Sequence, residues 1–153
     1  MGERAEMDVL WTPELLAEVI REVGYKAVIT IDDEHDVWIE SKSGGAPWRV
    51  AMLGSSPLFV GASLGVGIWV EDPYVWANTW NREKHAKAVV IVDPDTDEIE
   101  QACDGTFLVV VTERIDFHSG LTRDYVTALV GCWIDTVETI ALRDDVEVAI
   151  VPA

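Results

Sequence analysis

The chain has 153 residues, 49% of them hydrophobic, and its 28 acidic residues against 11 basic ones give a net charge of -17. That length suits one domain and that apolar fraction a folded body, so the charge belongs to its surface. So acidic a surface sets nucleic acid aside as a partner, because Lys and Arg supply most of such affinity by displacing counterions from phosphates.

The opening Met1-Gly2-Glu3-Arg4-Ala5-Glu6 is charged and no hydrophobic segment follows it directly. No export signal is expected there, and Glu6 stands where a myristoylation signal wants Ser or Thr. The apolar run 58–70 carries three glycines and is well short of the roughly 20 residues that span a bilayer as a helix. Cytoplasm, without a membrane partner, is the expected location.

Thr12-Pro13-Glu14 reads as a helix start: a capping hydroxyl, a proline suited to the first helical position, and an acid at the positive end of the dipole. Leu15, Leu16, Val19, Ile20 and Val23 mark its apolar face, and Gly24 offers a stop. Strands are expected at 27–31, 37–41, 48–53 and 58–70, separated by the turn formers of 32–36, 44–47 and 54–57. Such close spacing leaves no room for crossover helices, so the strands pair antiparallel.

Asp72-Pro73 repeats the logic of cap then proline and opens a second helix that ends near Lys84 and presents Val75, Trp76, Thr79 and Trp80 along one side. Strands resume at 88–92 and 106–112, with room for another at 99–103 joined through a turn at Asp104-Gly105. A third helix is expected from about Thr122 to Leu142, with Val126, Leu129, Val130, Trp133, Val137 and Ile140 at helical spacing and Ile134 and Ala141 offering a second apolar face. Residues 146–151 suit a short edge strand. The order implies an α+β domain spanning 1–153, an antiparallel sheet with three helices mainly on one face.

That order, with Trp80-Asn81-Arg82 near the end of the second helix, resembles the YbjN-like family, often labelled bacterial sensory transduction regulators. Lys87-Ala88-Val89 opening a strand, Ile115-Asp116-Phe117 closing another and Ser119-Gly120-Leu121-Thr122 leading into the last helix add to the likeness, which covers roughly Thr12 to Leu142. The resemblance implies a fold similar to type III secretion chaperones, small acidic proteins that commonly dimerise and hold segments of other proteins. It brings no reaction, cofactor or catalytic set. The chain departs from the pattern in its longer connection from Asp93 to Gly105 and in its seven tryptophans.

Motifs for chemistry are incomplete. The glycines at 61, 65 and 67 miss a nucleotide-loop pattern and suit a bulge or bend in a long strand. Asp93, Asp95 and Asp97 alternate as in a calcium loop, but Glu98 and Asp104 stand where such a loop needs Gly and Glu, so a solvated turn is expected. The Asp32 to Asp36 cluster reads the same way. His35, His85 and His118 lack metal-ligand spacing and read as surface groups. Cys103 and Cys132 read as buried free thiols.

The second helix remains. Trp76 and Trp80 share a face, where packing on the sheet competes with contact to a partner. Arg82, Lys84 and Lys87 suit a helix C-terminus and also make a basic spot for an acidic segment. These five are the candidate partner-binding residues. The reading is a non-enzymatic, protein-binding or chaperone-like regulator, homodimeric and without cofactor. The competing class is a small-molecule or metal-binding sensor, or a small enzyme, with a pocket between sheet and helices.

Overall fold

A capping side chain directly ahead of proline starts two of the three helices among the described residues. Thr12 Oγ1 accepts the Leu15 N–H at 3.1 Å ahead of α1 (Pro13–Glu22), and Asp72 Oδ1 accepts the Val75 N–H at 3.3 Å ahead of α2 (Pro73–Glu83). Proline's missing N–H costs nothing in a first turn, which has no intrahelical acceptor for it. Thr122 caps α3 (Arg123–Ala141), its hydroxyl accepting from the Tyr125 N–H at 3.1 Å. In this computed structural model the described residues are 10–55, 58–92, 98, 101, 104–117 and 121–149.

The strands are β1 (Val28–Ile31), β2 (Val37–Ser43), β3 (Ala46–Ser55), β4 (Leu58–Val70), β5 (Lys87–Val90), β6 (Phe107–Asp116) and β7 (Glu147–Ala149). All pair antiparallel in the order β1-β2-β3-β4-β6-β5, with β7 on β4. β4, at 13 residues, is the spine. β6 lines one of its edges from Gly61↔Asp116 to Val70↔Phe107, while β3 and then β7 share the other.

Period-two alternation sorts the two faces. Ala62, Leu64, Val66, Ile68 and Val70 of β4 are buried towards the helices with their neighbours Val50, Val109 and Val111. Against them α1 lays Leu16, Val19 and Ile20, and α3 lays Val126, Val130, Trp133, Val137 and Ile140. Burying each such aliphatic side chain contributes about 1.5–3 kcal/mol before chain entropy is counted. The indoles of Trp48 and Trp133 meet edge to face at 6.2 Å, tying β3 to α3. On the opposite face the Arg49 guanidinium lies 4.0 Å over the Trp38 ring. The α+β expectation, with three helices mainly on one face, holds.

Several boundaries move. Gly44 and Gly45 alone make the β2–β3 turn, both at positive φ (+59° and +86°), so Ala46 and Pro47 belong to β3. The bulge expected at the β4 glycines sits beside Gly61: the β4–β6 ladder is unbroken, but against β3 the register passes from Leu53↔Gly61 to Gly54↔Phe59 and leaves Val60 as the extra residue. Gly61 has a further reason to be glycine, since a Cβ there would meet the Ile115 carbonyl oxygen at 2.7 Å. Ile134 is 3% exposed and belongs to the core, which removes it from a second apolar face on α3. Cys132, expected buried, is exposed because it flanks the inward Trp133 on the solvent side of α3. Cys103, His118, the 93–97 aspartates and most of the proposed 99–103 strand lie outside the described residues; Gln101 bridges to Phe107.

Candidate binding cleft

A cleft of about 560 Å³ opens between the end of β4, the exposed side of α2 and the loop from α3 to β7. Its back wall is a pair of indoles one helical turn apart, because residues four apart on a helix lie one above the other. Trp76 and Trp80 stack with centroids 5.2 Å apart and planes 11° from parallel. Trp80 is buried at 4% exposure, and its Nε1–H donates to the Ala86 carbonyl at 2.9 Å. Trp76 is half-buried and turns towards the loop.

That loop holds it there. Trp76 Nε1–H donates to Asp145 Oδ2 at 3.2 Å, and Arg143 grips the same carboxylate with two bonds of 2.8 Å. The Arg143 guanidinium also lies 5.4 Å from the Trp76 ring centre, within reach of its electron-rich face. These bonds to Arg143 hold the Asp145 carboxyl below its ordinary pKa, aided by the Trp76 N–H, while Asp145 raises Arg143. Trp69, Val75, Thr79 and Thr106 also line the cleft. Val75 is 61% exposed, a large apolar side chain left facing water.

The rim is acidic. Glu71, Asp72, Glu83, Asp144, Asp145 and Glu147 all line the cleft, against Arg143 as the single cation among the described residues. The polar groups at its centre hold one another and fix the aromatic wall. Among the described residues no three His, Cys, Asp or Glu side chains converge as a metal site.

Of the five candidate residues, the structure gathers Trp76 and Trp80 in this cleft. Lys84 lies behind it, its ammonium 5.8 Å from the Trp80 ring, in a small groove shared with Asp135, Thr136 and Thr139. Arg82 and Lys87 are exposed and line neither. His85 is exposed and meets Glu113 at 3.1 Å. Trp69, Arg143 and Asp145 escaped sequence reading: Arg143 and Asp145 arrive from a loop 69 residues beyond Trp76, and no local spacing signals that meeting.

The Asp32 cluster is a turn, as its composition implies. Asp32 Oδ1 accepts the N–H groups of Glu34 and Asp36, both at 2.9 Å, and Oδ2 accepts Trp38 Nε1–H at 3.0 Å. The Trp38 bond leads in holding that carboxyl below its usual range.

The short motifs around α2 have architectural roles. Asn81 Oδ1 accepts the Ala88 N–H at 2.6 Å and Asn81 Nδ2 donates to the Ala88 carbonyl at 3.0 Å, so one amide occupies the outer hydrogen-bonding edge of β5. Trp11, at the start of the described chain, donates from Nε1 to the Leu121 carbonyl at 3.3 Å and stacks on Phe117 at 6.0 Å. Sequence stretches noted separately are thus joined in space.

No helix among the described residues is long and apolar enough to cross a membrane. No curated protein and no solved structure matches the chain. A family model, YbjN, described as "Putative bacterial sensory transduction regulator", matches residues 12–143. With most of its length matched, including every element from α1 to α3, the chain belongs to the YbjN family.

Proposed function

We propose that this chain is a non-enzymatic regulatory protein that acts by binding another protein, in a chaperone-like manner, through the cleft beside α2. The observation that carries the reading is the Trp76–Trp80 stack facing an open cleft, with Val75 exposed beside it and Arg143 and Asp145 spent on bracing the wall. Tryptophan is the side chain most enriched where binding energy concentrates. Arg82, Lys84 and Lys87 are assigned to the flanks of the same contact. A cytoplasmic homodimer completes the proposal, with sedimentation at high micromolar concentration as its check: a strictly monomeric mass counts against the dimer.

Capture from the source cell's lysate tests the binding role, using tagged wild type, Trp76→Ala and Trp38→Ala. A partner held by wild type and Trp38→Ala but lost by Trp76→Ala supports the cleft; equal recovery by all three overturns it. The cleft volume also lies within the roughly 300–1,000 Å³ of small-molecule sites, so a metabolite sensor is the second reading. A thermal shift with a metabolite that Trp76→Ala abolishes would favour it.

A further inference from the structure

We propose that the cleft receives a basic side chain, Arg or Lys, from an extended segment of the partner protein, and that Arg143 occupies this seat when no partner is bound. The inference rests on the protein-binding reading above and adds the chemistry of the guest.

Aromatic faces attract cations through the ring quadrupole, and the attraction strengthens as water is excluded. Here the chain already shows the interaction, with the Arg143 guanidinium 5.4 Å from the Trp76 ring and bonded twice to Asp145. Charge complementarity points the same way. Among the described residues six carboxylates against one guanidinium leave the lining strongly negative. An acidic guest would meet like charge at close range; a cation would be drawn in and gripped between carboxylate and indole. The volume far exceeds one guanidinium, and exposed Val75 adds apolar surface, so a peptide segment fits better than a lone amine. The Arg143–Asp145 pair is open to solvent on both sides, so the Arg143 side chain has room to turn outward and yield the Trp76 face to a guest.

The test follows indole N–H signals by NMR while the intact protein is titrated with an Arg/Lys-rich hexapeptide, its Gln counterpart, its Glu counterpart, or agmatine. The basic peptide should shift Trp76 and Trp80 saturably, with affinity falling several-fold as salt rises. Arg143→Ala should bind it several-fold more tightly, having lost both the competitor and its charge. Trp38, beside Asp32 elsewhere on the surface, is the internal control. Equal shifts at Trp38 would reveal diffuse attraction to the net charge and overturn the proposal, as would unmoved Trp76 and Trp80 signals. Weaker binding by Arg143→Ala, or agmatine matching the peptide, would also overturn it. Preferential binding of the Gln or Glu peptide at Trp76 would defeat the cationic guest while leaving the protein-binding cleft intact.

Discussion

Asn81 holds both backbone groups of Ala88, accepting its N–H at 2.6 Å and donating to its carbonyl at 3.0 Å. Among the described strands β5 is the last of its side of the sheet, and an edge strand offers unpaired N–H and C=O groups to any passing chain. One side-chain amide carries the donor and acceptor that a neighbouring strand would supply. Ala88 is buried, so losing that partner leaves both groups dry and unpaired. Asn81→Ala should lower the unfolding free energy by about 1–3 kcal/mol, read from urea melts. Asn81→Asp should lose a comparable amount, since it keeps the acceptor but sets a carboxylate against the carbonyl. Wild-type stability in both would contradict the role.

Glycines 61 and 131 should respond to alanine with opposite signs. At Gly61 a Cβ would meet the Ile115 carbonyl oxygen at 2.7 Å, and backbone cannot yield cheaply. Gly61→Ala is therefore expected to cost about 1–3 kcal/mol. At Gly131, inside α3, a Cβ meets nothing within 4 Å, so Gly131→Ala should gain about 0.5–1 kcal/mol from lower chain entropy in the unfolded state. Thermal melts of the two variants check both signs.

The Asp145 clamp predicts a pH dependence. Its folded pKa lies below the ordinary 3.8, chiefly through its bonds to Arg143, so it stabilises the fold above the unfolded value and loses that contribution as pH falls through the folded one. The side chain is half exposed, and solvent screening keeps the pair's contribution below about 1 kcal/mol. Wild type should exceed Asp145→Asn in Tm at pH 6, and the gap should narrow below about pH 4. A gap that widens on acidification would contradict the clamp.

Charge reversal at Arg82 and Lys84 separates partner contact from helix support. Both are exposed and near the end of α2, where cations are worth about 0.3–1 kcal/mol against the dipole. These cations lie outside the acidic cleft and are assigned to acidic residues of the partner that flank its basic side chain, so the double reversal to Glu should leave the fold intact by circular dichroism and weaken partner capture. Unchanged capture would remove these residues from the interface.

Much of the architecture is legible locally. Thr12-Pro13, Asp72-Pro73 and Thr122 place the helix starts because capping and proline act within one turn. Strands β1 to β4 follow from β-branched runs between turn formers, whereas β6 runs on to Asp116 because Glu113, Arg114 and Asp116 are paired along β4, which no local polarity pattern reveals. The cleft is half legible. Trp76 and Trp80 announce a shared face four residues apart, but Arg143 and Asp145 reach it only through the return of the chain from α3 into β7. Asn81 looked like part of a family signature, and only the pairing of α2 with β5 shows that the signature is a strand cover.

Site-specific photo-crosslinking tests the binding claim most directly. A benzophenone amino acid replaces Val75, exposed in the cleft, or Tyr125, equally exposed near the opposite end of α3, about 27 Å along that helix from the cleft loop. Irradiation in the source cell should give a discrete heavier adduct with the probe at position 75 and none at 125. Adducts of equal yield at both positions, or at 125 alone, would contradict the cleft as the binding surface.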